Sequence, residues 1–161
     1  MDNIRIGSGF DVHPFVQGRD LVLGGKKLDY RFGLGGHSDA DVLVHAIIDS
    51  ILGAAGMADI GQLFPDSDTA YKDIKSILLL EDVRSRISGR GLSIINIDSV
   101  VVCQEPKIAP HIEDMKNNIS RALSVEPSRI GIKGKTTEGL GFTGRGEGIA
   151  CYSVSLLRYR N

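Results

Sequence analysis

The chain has no tryptophan, and aromatic residues make up only 6% of its 161 positions. It lacks charge of either sign in excess: the net charge is −1, with no basic or acidic tail, which points away from nucleic acid and from membrane surfaces. No apolar run approaches the ~18 residues of a membrane span. Cysteine is scarce. Cys103 and Cys151 are the only two, they form no CxxC pair, and both sit in apolar, strand-like surroundings that suit buried thiols, so a disulfide framework is not expected. The N-terminus, MDNIRIGSGF, has neither the charged-then-apolar pattern of a signal peptide nor the Arg/Ser-rich look of a transit peptide, so a cytoplasmic location is expected. A chain of this length fits one domain, residues 1–161, and buries about 68–70% of its unfolded surface, enough to fold without a disulfide or structural metal.

What the chain has in abundance is glycine, 20 residues in clusters. Between the clusters, the hydrophobic pattern predicts strands over 4–10, 94–102, 130–133 and 149–159, and a short hairpin from 21–23 and 26–28 around Gly24-Gly25. Helices are expected over 39–55, capped by Ser38 or Asp39, over 74–88 and over 111–123. Residues 30–36, 57–68 and 134–148 read as loops. Strands interleaved with three helices predict an α/β, two-layer α+β fold: a mixed four-stranded main sheet with three helices on one face. The other face then needs cover, and the apolar character of 94–102 on both sides favours subunits packing sheet to sheet.

The chemistry begins at "GSGFDVHPF", residues 7–15, where Asp11 and His13 stand two apart and so point to one face of a strand. In "DADVLVHAIIDSILGAA", residues 39–55, the polar positions Asp41, His45 and Asp49 fall at i, i+4, i+8 on a single stripe, either a solvent face or the wall of a site. Asp11, His13 and His45 together make one carboxylate and two imidazoles, the donor set of a catalytic zinc site with an open fourth position. "GGHSDAD" sets His37 and Ser38 just before a helix start, where free N–H groups favour an anion. "KGKTTEGLGFTGRGEG", residues 133–148, is no Walker loop. Its glycines would still let backbone amides approach an anion, its Thr hydroxyls add donors, and Glu138 offers oxygen to a second, harder cation such as Mg²⁺ or Mn²⁺.

On "GFDVH", "HSDADVLVHAIIDSILGAAGMADIGQLFPDSD", "PKIAPHIEDM" and "TTEGLGFTGRGEGIAC", in order and nearly end to end, the chain resembles the 2-C-methyl-D-erythritol 2,4-cyclodiphosphate synthases of the non-mevalonate (MEP) isoprenoid pathway. The resemblance implies a homotrimer with its sheets turned inward and active sites between neighbours. Asp11, His13 and His45 would hold Zn²⁺, and Asp11 and His13 would also lie beside the substrate. Glu138 would hold Mg²⁺ or Mn²⁺ against the substrate diphosphate. His37 and Thr136 would assist the transition state, with His37 and Ser38 at the 2-phosphate. Asp59, Ile60 and Gly61 would contact the erythritol, and Phe64, Pro65, Asp66, Ser67 and Asp68 would begin a mobile flap. Cys103, Gln104, Glu105, Pro106, Lys107, Ile108 and Ala109, with Gly134, Lys135, Thr136 and Thr137, would form the cytidine and phosphate pocket. Phe142 and Arg145 would lie near the phosphate and the trimer channel, where an isoprenoid diphosphate has room. Lys135 stands where many members carry Thr, and Cys103 and Glu105 where small residues are common. The Lys135 cation would either contact a phosphate or point to solvent, and the phosphate contact is favoured.

The implied reaction converts 4-diphosphocytidyl-2-C-methyl-D-erythritol 2-phosphate to the 2,4-cyclodiphosphate and CMP, which makes the enzyme a phosphorus–oxygen lyase. A metal-dependent phosphoesterase on the same scaffold, or a non-catalytic trimeric binder of isoprenoid diphosphates, would draw on much of the same residue set. Retention of the metal triad with Thr136 and Glu138 argues against the second. Asp49 is expected, if anything, as an outer partner of the metal site.

Overall fold

The computed structural model describes residues 3–160. Seven strands form: β1 (Ile4–Val16), β2 (Leu21–Leu23), β3 (Lys26–Leu28), β4 (Gly33–Leu34), β5 (Leu92–Val102), β6 (Ile130–Lys135) and β7 (Gly148–Tyr159). The long helices are α1 (Val42–Ala55), α3 (Ser76–Gly89) and α4 (Ile112–Leu123), and α2 (Ile60–Leu63) and α5 (Gly141–Gly144) are single turns. The main sheet has the order β4-β1-β7-β5-β6, antiparallel except for the parallel β5–β6 pair, while β2 and β3 form a separate hairpin. It therefore has five strands, not the expected four. The fifth, β4, is only two residues long, pairing Phe15 with Leu34 and Val16 with Gly33, too short to leave a periodic trace in a Gly-rich stretch.

The two faces of the sheet differ. On one, α1 packs on β1 and β7, α3 on α1 and β5, and α4 on α3 and β6. On the other, Ile6, Phe10, Val12, Tyr152 and Val154 remain 71%, 48%, 43%, 55% and 43% exposed. The apolar face that the strand pattern left uncovered is thus a feature of the folded chain.

Gly7 and Gly9 bring α1 down onto β1. A Cβ on Gly7 would overlap the Ser50 carbonyl oxygen and Ala54 N, and one on Gly9 would overlap the Ala46 carbonyl oxygen. The helix therefore lies backbone to backbone on the strand. Beneath it the buried hydroxyls of Ser50, Ser99, Ser153 and Ser155 satisfy one another: Ser50 to Ser155 at 2.6 Å and Ser99 to Ser153 at 3.0 Å. Burying four hydroxyls is tolerable because each has a partner.

The start of α1 departs from expectation. The helix begins at Val42, and Asp41, not Ser38 or Asp39, caps it by accepting from Val44 N. Ala40 takes a left-handed backbone angle (φ 56°), so the chain turns before the helix can propagate. The fully buried Asp41 also accepts from Gly24 N at 2.9 Å and Gly25 N at 2.7 Å. This end of α1 is thus capped by its own buried carboxylate.

Candidate metal centre and adjoining cleft

Backbone closeness between α1 and β1 has a direct consequence: it sets His45 of α1 over Asp11 and His13 of β1. Asp11 Oδ2 lies 2.9 Å from His13 Nε2 and 3.0 Å from His45 Nδ1, and the two ring nitrogens are 3.2 Å apart. Around a tetrahedral ion with bonds of ~2.0–2.1 Å, donor atoms stand ~3.3 Å apart. The three donors nearly form one face of such a tetrahedron, and the set fits zinc by both geometry and chemistry. Burial opposes ionisation of Asp11, but the hydrogen bonds and positive potential of His13 and His45 outweigh it and hold the carboxyl down at about 2. Burial likewise opposes a charged His13, yet Asp11 and the Gly35 carbonyl raise its pKa above the ordinary histidine value.

Each imidazole is oriented by its other nitrogen. His13 Nδ1–H donates to the Gly35 carbonyl at 2.6 Å, which leaves Nε2 as the ligating atom. His45 Nε2 lies 2.8 Å from Ser76 Oγ and 3.1 Å from Ser38 Oγ, leaving Nδ1 toward Asp11. Ser76 in turn donates its hydroxyl to Asp39, whose other oxygen accepts from Ser76 N at 3.1 Å. The relay His45–Ser76–Asp39 is the kind of outer support that fixes a ligand's tautomer. Sequence reading missed Ser76 and Asp39, because contacts across 31 and 37 residues leave no local pattern. It missed Arg19 for the same reason: its guanidinium donates to the carbonyls of Gly36 and Ser38 and clamps the loop that carries His37. His37 Nε2 is buried and has no partner among the described residues, so a donor or acceptor is left open there.

The stripe on α1 resolves into three different jobs. Asp41 caps the helix, His45 faces Asp11, and Asp49 Oδ1 accepts from Ile60 N at 2.8 Å. Among the described residues Asp49 makes no hydrogen bond to either histidine. It holds the turn of Asp59, Ile60 and Gly61, which Asp59 itself caps by accepting from Gln62 N at 2.9 Å. Phe64 is only 6% exposed and stacks edge-on against Tyr71, anchoring the start of the segment whose Asp66, Ser67 and Asp68 are exposed. Its far end is tied down where Asp73 N donates to the His37 carbonyl and Asp39 N to the Ile74 carbonyl.

At the same end of the sheet, Cys103, Gln104, Pro106, Lys107, Ile108 and Ala109 meet Gly134, Lys135 and Thr136 around a cavity of about 180 Å³. Glu105 adjoins it in sequence. Gly134 is required: a Cβ there would stand 2.7 Å from Ile108 Cγ1 and fill the cleft. Cys103 is buried with its thiol pushed up to about 11 by burial and by the Glu105 charge, so it is not a nucleophile here. Beyond the cleft, Thr136 donates to Glu138 Oε1 at 2.7 Å, and Glu138 sits in a left-handed turn (φ 52°). Thr137 caps the same loop through the Leu140 carbonyl. Arg145 pairs with Glu147 at 2.6 Å, and Phe142 is 39% exposed. Asp11 and His13 of the triad lie on β1 and this cleft on β5 and β6, up to three strands away, roughly 14 Å at the ~4.8 Å strand spacing. Glu138 is not part of the three-residue metal cluster.

Known proteins share this arrangement of strands and motifs. The YgbB family model matches residues 4–158. The 2-C-methyl-D-erythritol 2,4-cyclodiphosphate synthase of Caldicellulosiruptor bescii is 57% identical over 153 residues, covering 95% of this chain and 98% of the relative. A solved structure, the Plasmodium falciparum IspF–CDP complex, superposes with a TM-score of 0.87 at 38% identity, covering 100% of this chain and 99% of the other. The bifunctional IspDF of Campylobacter jejuni superposes with a TM-score of 0.96 at 43% identity, and this chain spans 44% of that longer protein. With the match running over residues 4–158 and identities well above those of fold likeness alone, the chain belongs to the YgbB family.

Proposed function

We propose that the protein is a 2-C-methyl-D-erythritol 2,4-cyclodiphosphate synthase of the non-mevalonate isoprenoid pathway. It would convert 4-diphosphocytidyl-2-C-methyl-D-erythritol 2-phosphate to the cyclic diphosphate and CMP as a phosphorus–oxygen lyase. The observation that carries this reading is the convergence of Asp11, His13 and His45, in a chain 57% identical to a protein of that name.

The chemistry needs no general base. The second pKa of a phosphate monoester is near ~6, so the substrate's 2-phosphate is already largely ionised at neutral pH. Its oxygen forms a bond to the β-phosphorus while the bond to the bridging oxygen breaks, and the electron pair leaves with CMP. What opposes reaction is the approach of two anions and the closing of a ring. Zn²⁺ at Asp11, His13 and His45, and Mg²⁺ or Mn²⁺ at Glu138, would neutralise charge on the phosphoryl oxygens when bound. The chain's own part is placement. The unpartnered His37 Nε2 and the Thr136 hydroxyl would meet developing charge. Ser38 would stand at the 2-phosphate, and the turn capped by Asp59 would hold the erythritol. The cleft from Cys103 to Ala109 with Gly134 and Thr136 would seat cytidine, and Lys135 would add a phosphate contact. Holding both substrate ends in one geometry can lower the barrier by up to ~7–11 kcal/mol.

A site assembled between neighbouring chains of a homotrimer would join one chain's triad to another's Thr136–Glu138 end. The uncovered apolar sheet face supports such packing. The test is incubation with the cytidine substrate and mass analysis. CMP and a cyclic diphosphate are expected, with both lost in His45→Ala. Linear erythritol phosphates as the first products would replace this reading with a phosphoesterase.

A further inference from the structure

At the end of the sheet away from the metal triad, the structure holds a cavity of about 550 Å³ that the proposed reaction does not use. Its rim carries Arg84 of α3, Arg129 just before β6 and Arg160 just after β7. The lining contains no Asp and no Glu. In a chain with 20 acidic residues against 19 basic ones, this is a local charge separation. Among the described residues none of the three guanidiniums pairs with a carboxylate, whereas Arg86 pairs with Asp82 and Arg145 with Glu147. Arg84 is instead steadied by Ser124 Oγ, and Arg129 by the Ile94 carbonyl at 3.1 Å, so both are held while keeping further N–H donors available. Ile87, Leu92, Ile94 and Leu123, all nearly fully buried, give the floor an apolar patch within an otherwise mostly polar lining. Ser88 adds a hydroxyl, while Ser85 and Ser93 donate theirs to the Glu81 and Arg158 carbonyls.

The volume falls in the range of small-molecule sites. Guanidiniums match phosphate oxygens two at a time, and an acid-free set of three suits a dianion. We infer that this cavity binds a small organic phosphate, with the phosphoryl group on Arg84, Arg129 and Arg160 and an apolar portion on the floor. The site is distinct from the proposed active site. Leu92 begins β5 and Val102 ends it beside the cytidine cleft, a strand length of roughly 33 Å at ~3.3 Å per residue.

The test is calorimetric titration of the full chain with hexyl phosphate, in EDTA so that no divalent ion recruits phosphate to the triad. One saturable event per chain is expected, weakened at least ~10-fold in Arg84→Gln/Arg129→Gln, since each lost charged hydrogen bond is worth about that factor. Arg160→Gln, at a guanidinium with no hydrogen bond or ion pair among the described residues, should weaken it ~3–10-fold with an unchanged melting temperature. Inorganic phosphate should bind more weakly than hexyl phosphate, because it leaves the floor uncovered. Absence of a saturable event up to ~10 mM, the same affinity in the arginine variants, or equal affinity for inorganic phosphate would each overturn the assignment.

Discussion

Ser76 shows how much of the metal centre lies outside its ligands. Its hydroxyl stands between His45 Nε2 and Asp39, so it fixes which ring nitrogen faces Asp11. Outer partners of this type typically contribute 10–100-fold to metal affinity. Ser76→Ala should therefore weaken zinc binding by ~10–100-fold in a chelator competition, with secondary structure intact. Unchanged affinity would show that the His45 tautomer is set by something else. Protons compete with zinc at the same donors. Asp11, held down at about 2, is ionised across the working range, whereas His13 is raised above its ordinary value. Zinc affinity should accordingly fall as the pH drops below the raised His13 value, because there a proton claims His13. A fall that begins only as the pH approaches the Asp11 value of about 2 would transfer control to the carboxylate.

At the scale of elements, the junction of β1 and α1 carries the site. Gly9→Ala would drive a methyl group into the Ala46 carbonyl and force the helix off the strand. A cost of about 1–3 kcal/mol or more is expected in chemical denaturation, together with weaker zinc binding as His45 is displaced. Wild-type stability would contradict backbone-to-backbone packing there. Asp41→Ala leaves the buried N–H groups of Gly24 and Val44 and the part-buried one of Gly25 without acceptors, and should cost about 2–4 kcal/mol in the same assay. Much of this was legible in the residues. Asp11 and His13 share a face because strands have period 2, the β-branched run at 94–102 is indeed a strand, and the hairpin at 21–28 lies where Gly24-Gly25 put it. What was not legible is tertiary. The first strand, expected over 4–10, runs on to Val16, with Pro14 facing Gly148 on β7. Asp41 and Asp49 share a stripe with His45, yet one is claimed by a distant hairpin and the other by the next turn. Periodicity fixes the face on which a side chain emerges and leaves open the partner that reaches it.

For the whole molecule, the open sheet face is the feature that a lone chain leaves unresolved. Phe10 and Tyr152 stack at 4.6 Å on a surface with no helix over it. A homotrimer should scatter light as three times the 17.4 kDa chain, and Phe10→Asp should shift it toward the single chain and abolish activity. A fully active monomer at high dilution would refute sites shared between neighbours. The central claim, that the attacking oxygen belongs to the substrate itself, is tested most directly by running the first turnover in ¹⁸O-water. Asp11, His13 and His45 would hold the zinc, which in this account would neutralise charge on the substrate phosphate and would not supply an activated water. The account predicts CMP and a cyclic diphosphate, both without solvent label. An ¹⁸O atom in a released phosphate, with linear erythritol phosphates in place of the ring, would contradict it.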